Sequence, residues 1–197
     1  MDAKPFSQAS ENNKHAILGV LQELFLDRQK VLEIGSGTGQ HACFFAQHLP
    51  QLQWQPSDMI DNLPGIRQWR CDADLPNLLE EKPFDVRRDD LPAADSDAVF
   101  SANTLHIMAW PEVQTTFRHL AALNSDTKLC IYGPFNYGGE FTSESNARFN
   151  DWLLQRNSGS AIRDFEAVNE LANDAGFTLG FDYAMPANNR LLSWQKR

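Results

Sequence analysis

The spacing of apolar positions changes several times along the chain, and each change marks an element. Ile17, Val20, Leu21, Leu24 and Phe25 fall at i, i+3, i+4, i+7 and i+8, one face of an amphipathic helix within an N-terminal helical segment over 1–29. An apolar run predicts the first strand at 30–34, and a helix over 40–49 follows it and stops before Pro50. Leu52 to Pro56 reads as the second strand, ending in Ser57-Asp58, and a helix over 59–69 is expected to break at Pro64-Gly65. Pro83 to Val86 is a short third strand, and Asp97 to Ala102 a fourth, buried on both faces. Pro111 sits where a first helical position should be, with Val113, Phe117, Leu120 and Ala121 as the inner stripe. Lys128 to Tyr132 is the fifth strand.

Residues 133–160, rich in Gly, Ser, Asn and Phe, read as a long loop able to act as a lid. A helix over 164–175 turns Phe165, Val168, Leu171 and Ala172 inward and stops at Gly176. Phe177–Tyr183 and Arg190–Trp194 then form a hairpin around Met-Pro-Ala-Asn-Asn. Five alternating β/α units closed by a hairpin predict an α/β fold on one domain over 1–197. Its sheet is mostly parallel and seven-stranded, with a C-terminal antiparallel hairpin.

The first strand end carries the strongest chemical signal. Glu33 precedes Gly35-Ser36-Gly37-Thr38-Gly39, and the helix begins directly afterwards. Strand, glycine turn and helix in that order bring backbone close to a nucleotide-like ligand. Dinucleotide folds space their glycines G-x-G-x-x-G, whereas this chain has G-x-G-x-G with a carboxylate two residues before the first glycine. A carboxylate there repels a pyrophosphate but suits an ammonium or sulfonium. The pattern resembles motif I of class I S-adenosylmethionine (SAM) methyltransferases. The competing reading is a tight turn that holds no ligand.

Other candidates sit at later strand ends, where open α/β sheets bind ligands. Asp58 can accept both ribose hydroxyls, or cap the next helix. Asp85 can accept from an adenine amino group. Asp89 is its rival, and Cys71-Asp72-Ala73-Asp74-Leu75-Pro76 mimics the same signature too far from the fourth strand. Ser101, Asn103 and His106 follow that strand. His106 is a candidate general base or a structural hydrogen-bond partner, and Asn103 fixes either an acceptor or a turn. Tyr132, Phe135 and Asn136 after the fifth strand form a plausible acceptor wall, with aromatic faces open to a cation.

Composition narrows the partners. The 197 residues are 42% hydrophobic, as in ordinary soluble domains, and have no apolar stretch long enough to span a membrane. No signal-peptide core is expected at Met-Asp-Ala-Lys-Pro-Phe-Ser. A net charge of −9 argues against a nucleic-acid partner, and the Arg87-Arg88 doublet, followed by Asp89-Asp90, reads as a solvated loop. The Asn-Pro-Pro-Tyr type of string used in amino-group methylation is absent. Three cysteines without metal spacing suggest reduced thiols and a cytoplasmic setting, with Cys43 and Cys130 in the core. No metal is expected, and the oligomeric state is open.

The whole chain resembles a methyltransferase-like family, domain of unknown function 938, of the methyltransferase-like protein 26 type. The resemblance rests on Ser10–Lys14, Leu32–His41, Trp54–Asp58, His106-Ile107, Tyr132–Phe135, Ser145-Asn146, Ile162–Asp164 and Met185–Asn189. The strings Trp-Gln-Pro-Ser-Asp and Met-Pro-Ala-Asn-Asn are the specific part. A Trp-Pro pair expected ahead of the fourth strand is Leu91-Pro92 here. The resemblance implies a Rossmann-like class I methyltransferase fold, SAM as cofactor and S-adenosylhomocysteine as product, with no acceptor specified. It also marks Asn13, Lys14, Asn146, Arg163, Asn188 and Asn189 on segments that could fold over a pocket. Arg163 would face an acidic acceptor or pair with Asp164 or Glu166.

The expected donor-binding set is therefore Glu33, Gly35, Ser36, Gly37, Thr38, Gly39, Asp58, Asp85 and Ser101. His106, Asn103 and Tyr132 are the catalytic candidates, and Phe135, Asn136, Asn146, Arg163, Asn188 and Asn189 the acceptor-binding ones. The leading reading is a SAM-dependent methyltransferase acting on a small molecule. Its alternatives are a SAM-binding regulator or scaffold without catalysis and, more remotely, a nicotinamide oxidoreductase.

Overall fold

A computed structural model describes residues 4–197, so the first three residues of the N-terminal segment lie outside it. The sheet has seven strands in the order β3-β2-β1-β4-β5-β9-β8. These are β1 (Lys30–Ile34), β2 (Gln53–Asp58), β3 (Lys82–Pro83), β4 (Ala98–Ala102), β5 (Lys128–Gly133), β8 (Phe177–Met185) and β9 (Asn189–Lys196). A separate two-stranded parallel sheet pairs β6 (Phe135–Asn136) with β7 (Arg163–Asp164). The chain divides into two compact units, the first running to Ser101 and the second starting at Ala102.

In the first unit β1 pairs in parallel with β2 on one side and β4 on the other, so the strand order reverses at β1. Val31, Leu32, Val99 and Phe100 are fully buried, which explains why these strands read as continuous apolar runs. Helix α1 (Gln8–Leu24) is capped by Ser7 and buries Ile17, Leu18, Leu21 and Leu24; Val20 is only half-buried. Helix α2 (Gln40–His48) starts directly at Gly39. The expected break at Pro64-Gly65 does not occur. A 3₁₀ turn at Ile60–Asn62 leads into α3 (Leu63–Ala73), and Pro64 lies in the first turn, where its missing N–H has no partner to lose. The third strand is shorter than expected, ending at Pro83 rather than Val86.

In the second unit α4 (Trp110–Leu120) buries Val113, Thr116, Phe117 and Leu120, while Ala121 lies past its end and is exposed. The Glu112 carboxylate accepts the Ala109 amide at 2.8 Å and closes the helix start. Residues 133–160 are not one long loop. They carry β6 and a 13-residue helix, α5 (Glu144–Arg156), capped by the Ser143 hydroxyl. This helix buries only Asn146 and Leu153, so it has no apolar stripe to betray it. Helix α6 (Phe165–Asp174) follows. Strands β8 and β9 form the antiparallel hairpin, and β9 also pairs antiparallel with β5. Among the described residues no helix is long and apolar enough to cross a membrane.

Candidate functional site

The strand reversal at β1 puts the glycine loop at the carboxyl end of the strands, the usual ligand position in an open α/β sheet. Gly35, Gly37 and Gly39 all have positive φ, at 78°, 57° and 91°. That conformation costs side-chain-bearing residues energy and glycine very little. A Cβ on Gly39 would lie 3.0 Å from the Ile66 Cα, so α3 packs directly against this turn. A Cβ on Gly37 would meet open space within 4 Å, so its backbone faces room for a ligand.

The loop is held from β2. The amides of Gly35 and Ser36 donate to the Ser57 carbonyl at 3.0 and 3.1 Å. Asp58, the last residue of β2, accepts the Gly37 amide at 2.6 Å through Oδ2. Its Oδ1 accepts the Met59 amide at 2.7 Å and the Asn62 side-chain amide at 2.8 Å. A carboxylate has about four acceptor sites, so Asp58 keeps one free, and breaking the Gly37 bond frees a second. Burial raises its pKa above the ordinary carboxylate value, while these bonds pull it back. Thr38 donates its hydroxyl to Gln40 Oε1 at 3.1 Å, and the Ser7 amide donates to the same oxygen, tying α1 to the loop.

Glu33 is almost fully enclosed. Its Oε2 accepts the Trp54 indole N–H at 3.0 Å and the Ser36 hydroxyl at 2.9 Å. Desolvation pushes its pKa up to about 7, and the two hydrogen bonds oppose that rise. The carboxylate therefore supports the loop from behind instead of lining an open cleft. Ser101 donates to the Ile34 carbonyl at 2.8 Å and so ties β4 to the start of the same loop. Nearby, buried His41 shares a 2.7 Å hydrogen bond with Asn13, and burial lowers its pKa to about 4.

Asp85 lies two residues past β3, and its carboxylate is occupied. Oδ1 accepts from the Arg87 amide and Nε, and Oδ2 from Arg87 Nη2 and from Arg88 Nε and Nη2, all at 2.6–3.1 Å. The Arg87 hydrogen bonds hold its pKa far below the usual range. An adenine amino group would have to displace a guanidinium there. Asp89 uses only Oδ2, on the Asp85 amide at 2.7 Å, and has acceptor capacity to spare. Arg87 and Arg88 are otherwise largely exposed, in keeping with the expected solvated loop.

In the second unit the candidates form two groups. Asn103 has φ 56°, and its amide donates to the Tyr132 carbonyl at 2.9 Å. His106 is buried, edge-on to Phe149 at 5.3 Å, and near Gly133, where an added Cβ would sit 3.6 Å from Nδ1. Burial lowers its pKa to about 4, and the Arg163 charge lowers it further. Tyr132 and Phe135 are core residues at 2% exposure each. Asn136 is also buried, and its Oδ1 has no hydrogen-bond partner among the described residues.

Arg163 pairs with neither Asp164 nor Glu166. Its guanidinium donates to the backbone carbonyls of Leu105 at 3.1 Å, Gly159 at 2.9 Å and Met108, and it stands 5.8 Å over Trp110. That is a clamp on the segment carrying His106. Asn146 donates to Thr142 Oγ1 at 2.9 Å and to the Asn188 carbonyl at 3.2 Å. Asn188 in turn donates to Ser145 Oγ, whereas Asn189 bonds only Pro186 and Ala187 within its own turn. Sequence reasoning gave no role to Trp54, Asn62, Tyr137, Thr142 or Arg190. Trp54 was visible only as part of a family string, and the others carry no local pattern.

The chain belongs to the family described as protein of unknown function (DUF938), whose model matches residues 4–196. Its fold is also that of solved methyltransferase structures. One is an S-adenosylmethionine-dependent methyltransferase, SibL, at TM-score 0.79 and 21% identity over 95% of this chain and 55% of that one. Mitomycin 7-O-methyltransferase MmcR matches at 0.81 and 16%, over 96% and 54%. Human N-acetylserotonin methyltransferase, in complex with SAM, matches at 0.73 and 14%, over 95% and 58%. The chain thus spans little more than half the length of these proteins. The α/β Rossmann-like methyltransferase fold, with its mostly parallel seven-stranded sheet and antiparallel C-terminal strands, is established by that likeness.

Proposed function

We propose that the protein is a SAM-dependent methyltransferase of the methyltransferase-like protein 26 type, acting on a small molecule as one cytoplasmic domain. The observation that carries this reading is the loop Gly35–Gly39, with three positive-φ glycines and the Asp58 carboxylate drawn to its central amide. In this reading Asp58 would accept one ribose hydroxyl at its free acceptor site and a second where the Gly37 bond gives way, and the Gly37 backbone would hold the methionine end. Ser36, Thr38 and Ser101 hold the loop and strand ends. Once ionised, which burial delays to about pH 7, Glu33 would add negative potential behind the loop where a sulfonium would sit. Asp89 takes the adenine amino group more readily than Asp85, because five donors already crowd the Asp85 carboxylate.

SAM supplies the activated methyl group, and transfer is an in-line displacement by the acceptor. The protein's part is alignment and exclusion of water, worth up to ~7–11 kcal/mol. His106, held neutral by burial, is the group assigned to remove a proton from the acceptor, and Asn103, Tyr132 and Asn136 to position it. The acidic chain disfavours nucleic acid as that acceptor.

A SAM-binding protein without catalysis is favoured by one observation: Arg163, the strongest electrostatic candidate for an acceptor, is spent on backbone carbonyls. Thermal shift with SAM, S-adenosylhomocysteine and NAD tests the donor. Saturating SAM at ~100 times its Kd should stabilise by ~2.7 kcal/mol, and a response to NAD alone overturns the proposal. Labelled-methyl transfer into a metabolite extract, with Asp58→Ala as control, separates enzyme from binder.

A further inference from the structure

The second unit contains a cavity of about 460 Å³ at the tip of the β8–β9 hairpin, within the range of small-molecule sites. Its walls include Tyr137, Thr142, Met185, Asn188, Asn189 and Arg190, and no carboxylate is among its lining residues. Arg190 is the one charged side chain there. Its Nε donates to Asp182 Oδ1 at 2.7 Å and its Nη2 to the Asp182 carbonyl at 3.1 Å. The Nε–Nη2 edge of the guanidinium is thus fixed, and Tyr137 also engages the group, its ring 5.8 Å from Cζ and its side chain a further hydrogen-bond partner. Tyr137 donates to the second Asp182 oxygen at 2.8 Å, which locks the arginine and the aromatic wall together.

Of the remaining polar groups Thr142 shows the same bias, whereas Asn188 and Asn189 spend their N–H donors on Ser145 Oγ and on the Pro186 and Ala187 carbonyls. Thr142 Oγ1 accepts from Asn146, leaving its own O–H to donate. The turn that closes the cavity is strained: Ala187 and Asn188 both have positive φ, at 57° and 56°. Non-glycine residues hold that conformation only where their surroundings enforce it. Here Asn146 does so, through its 3.2 Å bond to the Asn188 carbonyl. A cavity with a pre-oriented guanidinium edge, a hydroxyl donor and an apolar wall of Met185 and Tyr137 is complementary to a planar anion on a small organic body.

We propose that this cavity binds a small organic carboxylate, with Arg190 as the recognition residue. As the site of the methyl acceptor it rests on the methyltransferase reading; as a carboxylate site it stands alone. The test is titration of the full chain with 4-hydroxybenzoate and, as the uncharged isostere, 4-hydroxybenzamide, followed by calorimetry and saturation-transfer NMR. The acid should bind at least tenfold more tightly than the amide. Arg190→Gln should abolish that difference and Thr142→Val should reduce it severalfold; the threonine variant leaves the Asp182 ion pair intact should the arginine variant unfold. Equal affinity for the two ligands, no saturable binding of either, or binding unaltered in both variants overturns the proposal. The SAM thermal shift is read on the same samples. Carboxylate binding without a SAM response removes the methyltransferase reading alone, and a SAM response without carboxylate binding removes this one alone.

Discussion

The Trp54 indole donates to the Glu33 carboxylate at 3.0 Å, and this bond joins β2 to the residue that leads into the glycine loop. Because Glu33 also takes the Ser36 hydroxyl, one buried carboxylate governs the entry to the loop. Its raised pKa gives the bond a pH signature. The folded value, about 7, lies above the ordinary 4.5, so the folded state holds the proton more tightly than the unfolded chain. Glu33 then contributes stability that is complete below about 4.5 and is lost as pH rises through about 7. Glu33→Gln should match wild type near pH 5 and exceed it in urea midpoint near pH 8.5. Trp54→Phe should steepen the wild-type loss, since it removes a bond that favours the charged form. Parallel pH profiles for wild type and Glu33→Gln would show that the carboxylate is not the titrating group.

Gly37 and Gly39 separate folding from ligand binding. Both have positive φ, so an alanine at either costs ~1–2 kcal/mol of backbone strain. Gly39→Ala also drives a methyl into the Ile66 backbone at 3.0 Å and should destabilise further. Gly37→Ala meets no protein atom, so its stability loss should stop at the strain while SAM affinity falls tenfold or more. Urea denaturation together with calorimetric SAM titration reads both. Unimpaired SAM binding by Gly37→Ala would remove the close approach from the donor site.

Asp58 is the side chain on which the donor reading depends most. Hydrogen bonds to a charged group contribute ~1.5–3 kcal/mol each. Asp58→Asn should therefore weaken SAM by roughly 10–100-fold; its one amide oxygen can serve either the Met59 amide or the Gly37 amide but not both, so a loss of stability should accompany it. Asp85→Asn should instead reduce stability through the loss of Arg87 and Arg88, with little change in SAM affinity. The opposite ranking of the two variants in a SAM titration would return the adenine contact to Asp85 and take the ribose contact from Asp58.

These contrasts also show where sequence reasoning reaches its limit. β1 and β4 were legible because strands buried on both faces are mainly apolar, interrupted here only by Glu33 and Ser101 between their end residues, and the glycine spacing survives any local context. Helix α5 was not legible, because its burial rests on Asn146 and Leu153 and its start on a single serine cap. The type of a site residue was readable, but its occupancy was not. Nothing in the string Asp-Val-Arg-Arg-Asp says that both arginines fold back onto Asp85. Likewise Arg163 reads as an acceptor's counter-ion, yet its partners are carbonyls, two of them, Leu105 and Met108, brought in from more than fifty positions away.

Arg163 therefore yields a stability prediction. Arg163→Ala leaves the carbonyl of buried Leu105 and those of half-buried Met108 and Gly159 short of a donor; with the full penalty of ~1–3 kcal/mol falling on Leu105 alone, stability should drop by roughly that amount. Arg163→Lys keeps the charge but loses the planar fork that reaches three carbonyls, and should recover only part of it. Urea denaturation of the two variants gives the comparison. Wild-type stability in Arg163→Ala would show that the clamp carries no energy.

His106 depends on that clamp, since Arg163 holds the Leu105 and Met108 carbonyls on either side of it. Its folded pKa, about 4, lies below the ordinary 6.5, so its stability contribution is present above about 6.5 and lost as pH falls through about 4. The same depression keeps a neutral imidazole ready to accept a proton over the whole neutral range. If His106 is the base, methyl transfer should fall as pH drops through about 4, and His106→Gln should lose ~10²–10⁴ in kcat. The variant's remaining activity should rise with pH as the acceptor ionises unaided, whereas wild type stays flat. SAM affinity should not change, because the proposed donor contacts lie at the ends of β1 and β2. A flat, near-wild-type kcat in His106→Gln would instead identify an acceptor that attacks already deprotonated, leaving His106 as packing against Phe149.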